Sequence, residues 1–321
     1  MKRRTLLLGM SLAIAQVPAH AQANNYPSKP IRIVVPFAAG SGSDTGSRVY
    51  GEVLSRLLGQ PVIVENRPGA SGLVTIQAVK SAPADGYTIM LASNSPMTVN
   101  PVVMKNLPYD PVKDFRPIIG LGKGAVAFVV RADSPYKTIN DLIDAAKKDR
   151  RPLAIGNYSA GYQLVAAWLG TASGTEVTHV AYKGGMQMMT DIIGKQLDVG
   201  AIDFGGAVPL IRDGRLRALV VTRDKRYPGF PDIPTMKESG FPNFETYVWS
   251  SFYVRAETPD DIVQKLADTM QKVMLSEEAS AYHATTPNDV MAAKPDEMRK
   301  FQLAEYERFR RVAEAAGIKP Q

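Results

Sequence analysis

The chain has 321 residues, of which 45% are hydrophobic and 21% charged, and it has no cysteine. That apolar share builds real cores and excludes a disordered chain, while the missing thiols exclude a disulfide scaffold, a thiolate metal site and a cysteine nucleophile. The formal net charge of +7 with only three histidines suggests nucleic acid at first sight and leaves almost nothing for a histidine metal cluster.

The first elements are an address. Lys2, Arg3 and Arg4 give a basic start, and an apolar run follows from Leu6 to Val17. Ala19-His20-Ala21 then puts small residues at the −3 and −1 positions of a cleavage site. This is the three-part pattern of a secretory signal peptide. The run is about a dozen residues, too short for a membrane span of ~20. Residues 1–21 are therefore expected to be cleaved near Ala21, with the mature chain in the periplasm. Cleavage removes three cations and no acid, which lowers the net charge from +7 to +4. The remaining cations mix with acids, as in Lys147-Lys148-Asp149-Arg150-Arg151. No basic stripe carries interleaved aromatics, so no nucleic-acid partner is expected.

Ile31 to Phe37 reads as a buried strand. The loop Ala38-Ala39-Gly40-Ser41-Gly42-Ser43-Asp44 follows, with Asp44 as the expected cap of a helix carrying Val49, Val53, Leu54, Leu57 and Leu58. Val62 to Glu65 is the next strand, Gly72 to Lys80 a helix, and Thr88 to Ala92 a third strand that ends in Ser93-Asn94-Ser95-Pro96. The pattern then restarts. Strands are expected over Ala125–Val130, Leu153–Gly156, Val177–Ala181, Val199–Ile202 and Leu219–Thr222. Helices fall between them at Ile139–Lys147, Gln163–Leu169 and Met186–Ile193. Tyr227 to Pro242 is an irregular connection, Tyr247 to Val254 a strand, and the chain from Asp260 onward is helical.

Alternating strands and helices mean an α/β fold with a largely parallel sheet. Two such units predict two lobes. Residues 25–124 with 246–321 are assigned to the first, and residues 125–245 to the second. The C-terminal helices are expected to pack back on the first lobe.

Ligands of such sheets bind beyond the carboxyl ends of the strands. Those ends carry Phe37, Gly40, Ser41, Gly42 and Ser43; then Ser93, Asn94 and Ser95; then Tyr158, Ser159, Ala160, Gly161 and Tyr162; then Tyr182, Gly184 and Asp203. Small and hydroxyl-bearing residues at helix starts offer backbone N–H groups to an anion, most simply a carboxylate. Three other readings are weaker. Gly40-x-Gly42-x-x-x-Gly46 misses the dinucleotide fingerprint by one residue, where Thr45 stands. Ser159, Asp203 and His283 follow the hydrolase order, but Asn157 stands where the nucleophile elbow wants glycine. His179 lacks a second ligand at metal spacing, and Met186, Met188 and Met189 read as core filler.

Several ordered motifs resemble one family. Tyr26-Pro27-Ser28-Lys29-Pro30-Ile31-Arg32, Val34-Val35-Pro36-Phe37-Ala38-Ala39-Gly40 and Asp44 are similar to the opening of the Bug proteins. These are the periplasmic substrate-binding, tricarboxylate-receptor components of tripartite tricarboxylate transporters. Val64-Glu65-Asn66-Arg67-Pro68-Gly69-Ala70, Asp85-Gly86-Tyr87-Thr88 and Leu107-Pro108-Tyr109-Asp110-Pro111 fit as well, as do Tyr182-Lys183-Gly184-Gly185 and Gly214-Arg215-Leu216-Arg217. The resemblance implies a two-lobed, type II periplasmic binding protein-like fold with the ligand cleft between the lobes. It implies a small organic carboxylate gripped by backbone groups of Phe37 to Asp44 and of Asn157 to Tyr162. It also implies delivery to a membrane transporter or a sensor, with no enzyme activity and no cofactor. A monomer is expected. The chain departs from the family at Gly40-Ser41, where two glycines are common, and at Ala160-Gly161-Tyr162-Gln163, where a Gly-Ser pair and a histidine are common.

Overall fold

A computed structural model describes residues 25–315 together with 317, 318 and 320. The proposed signal peptide, residues 1–21, lies outside the described residues. Among the described residues no helix is long and apolar enough to cross a membrane.

In chain order the first elements are β1 (Ile31–Val35), α1 (Gly42–Leu58), β2 (Val62–Asn66), α2 (Leu73–Lys80) and β3 (Thr88–Ser93). A wide helical turn over Ser95–Val99 leads into the short α3 (Asn100–Val103). Then come β4 (Phe115–Arg131), α4 (Ile139–Asp149), β5 (Leu153–Asn157), α5 (Ala160–Ser173), β6 (Val177–Ala181) and α6 (Gly185–Ile193). The chain continues through β7 (Val199–Asp203), α7 (Phe204–Arg212), β8 (Leu216–Val221) and β9 (Tyr247–Arg255). It ends in α8 (Asp260–Met274), α9 (Glu277–Thr285), β10 (Asp289–Ala293) and α10 (Pro295–Ala315).

The sheet is one curled surface with the order β2-β1-β3-β9-β4-β7-β5-β6, and β8 and β10 also pair with β4. The two lobes share the 17-residue β4. Its first part, Phe115 to Ala125, pairs with β9, and its second part, from Val126, pairs with β7 and β8. The partner therefore changes between Ala125 and Val126. The outer strands are parallel, as in β1 with β2 and β5 with β6. The central pairs of β4 with β9, β7, β8 and β10 are antiparallel. The sheet is thus mixed, because β4 and β9 run against the strands beside them.

Two strands differ from the sequence reading. The stretch before Ala125 is strand, although Pro117, Gly120, Gly122 and Gly124 look like loop. The glycines are there for close approach. A Cβ on Gly120 would stand 2.8 Å from Met298 Sδ, and one on Gly122 would stand 3.1 Å from the Asp289 carbonyl. The neighbour that needs this room is β10, within the segment read as wholly helical. It pairs Asp289 with Lys123 and Ala293 with Gly120. The helix start signals are clearer. Thr138 caps α4 in a reciprocal box with Asp141.

Each lobe has its own cores. Ile31, Ile33, Leu54, Ile89, Phe252 and Leu266 pack in the first. Phe128, Leu142, Ile155, Val165, Val199 and Val220 pack in the second. Met188 and Met189 are buried core residues, as read, while Met186 points out. Phe128 is fully buried on β4. Phe128→Ala should destabilise the protein by about 3–5 kcal/mol, through lost burial and the cavity left behind. Urea unfolding of the two proteins checks this, and a loss below about 1 kcal/mol would contradict it.

Candidate functional site

The chain leaving β1, β3, β5, β6 and β7 meets at a cavity of about 810 Å³ in the cleft between the lobes. That volume suits a small ligand with room for water. The first wall starts at α1. Its cap is Ser41, not Asp44: Ser41 Oγ accepts from the Asp44 N–H at 3.2 Å. Asp44 sits one turn in and ties the loop from inside. Its Oδ2 accepts the Gly40 N–H at 2.9 Å, and its Oδ1 accepts from Asn66 Nδ2 at 2.9 Å and from Arg48 at 2.9 Å. Burial alone would raise the Asp44 pKa; bonds from Arg48, Gly40 and Asn66 outweigh that and hold it below the usual carboxylate range.

Asn66 also donates to the Phe37 carbonyl at 3.0 Å, and Gly40 turns the chain at φ +79°. The Tyr282 hydroxyl donates to the Gly42 carbonyl at 2.9 Å from α9. Gly46 is what admits this ring, since a Cβ there would stand 2.9 Å from the Tyr282 oxygen. The third glycine of the near-fingerprint thus serves helix packing. The loop is fixed on all sides, yet among the described residues the N–H groups of Gly42 and Ser43 take no partner. They are the free donors at the positive end of a 17-residue helix. Tyr282→Phe should lower ligand affinity several-fold with little change in stability, because one loop-fixing hydrogen bond is lost. Calorimetry on the variant checks this; unchanged affinity would remove Tyr282 from the support of the site.

The opposite wall starts at α5 and differs from the sequence reading. The Ala160 N–H donates to Ser71 Oγ at 3.1 Å, and the Gly161 N–H donates to Ser95 Oγ at 3.1 Å. Ser95 Oγ in turn donates to Ser159 Oγ at 3.0 Å. Two hydroxyls from the first lobe therefore already occupy donors that were expected to grip the ligand. Ser95, Ala160 and Gly161 do not line the cavity. Tyr182 does not line it either; its ring packs on the second lobe's core.

The other residues singled out do meet there: Phe37 and Gly40 to Ser43, Ser93 and Asn94, Tyr158, Ser159 and Tyr162, Gly184 and Asp203. Phe37 and Tyr158 face each other across the cleft at 6.4 Å, and Tyr158 lies 4.4 Å from Tyr162. Burial holds both tyrosine hydroxyls in the neutral form by raising their pKa values. Sequence reasoning missed Trp249, Tyr282 and Asn288 in the lining. The signal for the last two was slight. They come from the late chain, and only the short polar stretch around His283 marked it.

Ser159, Asp203 and His283 all reach the cavity but make no hydrogen bond to one another. Ser159 bonds to Ser95, and His283 Nε2 bonds to the Tyr50 hydroxyl at 2.9 Å. Asp203 caps α7, with Oδ2 accepting the Gly206 N–H at 3.1 Å. Its Oδ1 is buried without a donor, and burial pushes its pKa up to about 6 against the pull of the Gly206 and Gly205 N–H groups.

Comparison with known proteins places this geometry. The model of the tripartite tricarboxylate transporter family receptor matches residues 47–318. A UPF0065 protein of Bordetella bronchiseptica is 35% identical over 317 residues, covering 99% of this chain and 94% of the relative. The solved periplasmic binding protein BugD superposes with a TM-score of 0.86 at 30% identity, covering 92% of this chain and 100% of its own. An R. palustris protein solved with adipate has the same TM-score of 0.86 and 30% identity, covering 92% of this chain and 100% of its own. The chain belongs to the tripartite tricarboxylate transporter receptor family, the Bug-type periplasmic solute-binding proteins.

Proposed function

We propose that this chain captures a small organic carboxylate between its two lobes and delivers it to a tripartite tricarboxylate-type membrane transporter or a sensor. The free Gly42 and Ser43 N–H groups, opening into a closed-sided cleft, carry this reading. They offer an anion two donors and a helix's positive end without a desolvated cation. The adipate found in the R. palustris relative is an acid of this class. Ser41 and Gly42 to Ser43 form one wall of the site, and Tyr158, Ser159, Tyr162 and Gly184 the other. The lobes are residues 25–124 with 246–321 and residues 125–245; the change of partner along β4 at Ala125 supports that division. Lobe closure on ligand is the working motion, driven by the ligand's higher affinity for the closed state. The chain is exported and cleaved near Ala21, acts as a monomer, and performs no chemistry on its ligand. The hydrolase alternative lacks support because its three residues are bonded elsewhere.

Thermal-shift screening of the mature chain against mono-, di- and tricarboxylates, amino acids and aromatic acids tests the reading. A ligand at a hundred times its Kd stabilises the protein by about 2.7 kcal/mol. At least one acid should raise Tm by several degrees. A flat response to every acid at millimolar concentration would sink the proposal.

A further inference from the structure

We infer that Asp203, with Asn288 beside it, makes the cleft select carboxylates that carry a second, cationic nitrogen and reject dicarboxylates of the same length. The inference rests on the carboxylate-binding reading above and names the class of acid.

Asp203 stands in the cavity wall at the end of β7, in the second lobe. Asn288 faces it from the first lobe, in the chain entering β10. Both present an Oδ1 that is buried and without a donor. Both atoms lie against the same glycine. A Cβ on Gly124 would stand 2.2 Å from Asn288 Oδ1 and 3.1 Å from Asp203 Oδ1. Rotating the Asn288 amide would give Asp203 a donor but no counter-charge.

Nothing else supplies that charge. Among the described residues no lysine or arginine makes an ion pair with Asp203. Arg223 is directed to Asp289 at 3.5 Å and lies over the Tyr227 ring at 4.1 Å. The groups whose fields meet Asp203 are Tyr158 just before α5, Tyr162 on α5, Tyr227 after β8 and Tyr282 on α9, all neutral phenols. His283 lines the same cavity, and burial lowers its pKa, which keeps it neutral near pH 7. Asp289 also lines it, with Arg223 as its counter-charge at 3.5 Å. Lys183, in the loop between β6 and α6 of the same lobe, also lines the cavity, but its side chain is exposed and makes no ion pair with Asp203.

A carboxylate in a wall of low polarity acts strongly on any charge brought into the cavity. A ligand held at α1 by one carboxylate must place its other end in this field. An ammonium there supplies the missing counter-charge, whereas a second carboxylate sets a like charge against Asp203.

Matched acids test this. Calorimetry on the mature chain compares succinate with 4-aminobutyrate and adipate with 6-aminohexanoate, in the wild type and in Asp203→Asn. Asparagine caps a helix as well as aspartate, so α7 and the fold should survive, and circular dichroism confirms it. In the wild type the amino acid should bind at least tenfold tighter than the dicarboxylate at one length or both. In Asp203→Asn that gap should close. Wild-type preference should also shift toward the dicarboxylate as the pH falls from 8 to 5.5, with no such shift in the variant. Dicarboxylates that bind as tightly as their amino partners, or a preference that Asp203→Asn leaves intact, overturn the inference and leave the carboxylate reading standing. No binding of any of the four overturns the inference, and failure of the wider acid screen as well overturns that reading.

Discussion

Replacing Ser41 by aspartate should abolish binding of every carboxylate ligand, with at least a hundredfold loss of affinity. The substitution acts on charge rather than on fold. Ser41 caps α1 through its Oγ, which accepts the Asp44 N–H. Aspartate caps helices as well as serine does, so α1 should still start at Gly42. Its carboxylate, however, stands beside the Gly42 and Ser43 N–H groups and takes the helix's positive end for itself. A ligand carboxylate must then give up those donors and approach a fixed negative charge, near Asp44 as well. A hundredfold loss corresponds to about 2.8 kcal/mol, within reach of a like-charge contact at a partly buried site. Ser41→Asn separates the causes. It keeps the cap, adds no charge and should stay within a few-fold of the wild type. Calorimetry with the tightest acid from the screen checks both variants. Wild-type affinity in Ser41→Asp would remove the start of α1 from the binding site.

The part of this design that was legible in the sequence is the part made by strong local patterns. Ile31 to Val35 is almost wholly β-branched and is followed by a loop and a helix, whereas the helix that starts directly after Val199 to Asp203 escaped the sequence reading. Strand ends mark which loops share the cleft, so Phe37, Gly40 to Ser43, Tyr158, Ser159 and Tyr162 were placed there without coordinates, while Ala160 and Gly161 were placed there wrongly. What escaped depends on contacts between segments distant in the chain. Gly120 and Gly122 fell outside the expected strand because they serve the approach of β10, more than 160 positions later. Asp44 and Ser41 are three residues apart, and either can cap; only the bonds from Asn66 and Gly40 show which one is held inward. The α5 start looked like a free anion site for the same reason. Its cap comes from Ser71 and Ser95, on the other lobe. Asn288 carried only a slight signal, since an asparagine beside an aspartate in a turn is ordinary.

Asp203→Asn should stabilise the ligand-free protein by about 3 kcal/mol at pH 8 and by almost nothing at pH 4. Burial raises the Asp203 pKa from 3.8 to about 6. Between these values the folded protein holds a proton that the unfolded chain has lost. Unfolding then releases protons, so stability falls as the pH rises from about 4 to 6 and stays lower above. A shift of that size corresponds to about 3 kcal/mol. Asparagine cannot ionise and escapes the loss. Asp44, Glu65, Asp110 and Asp114 have pKa values lowered on folding, and their contributions run the other way with pH. They are common to both proteins and cancel in the difference. Urea unfolding of the two ligand-free proteins from pH 4 to 8 reads that difference directly. A variant no more stable than the wild type at pH 8 would mean that Asp203 is already neutralised, and the selectivity argued above would lose its source. An ionised, unpaired carboxylate is costly to keep in an empty cleft, and a ligand cation is the group that would relieve it. The same substitution should therefore strengthen the empty protein and weaken its complex with an amino acid, a pair of opposite effects that a purely structural aspartate would not produce.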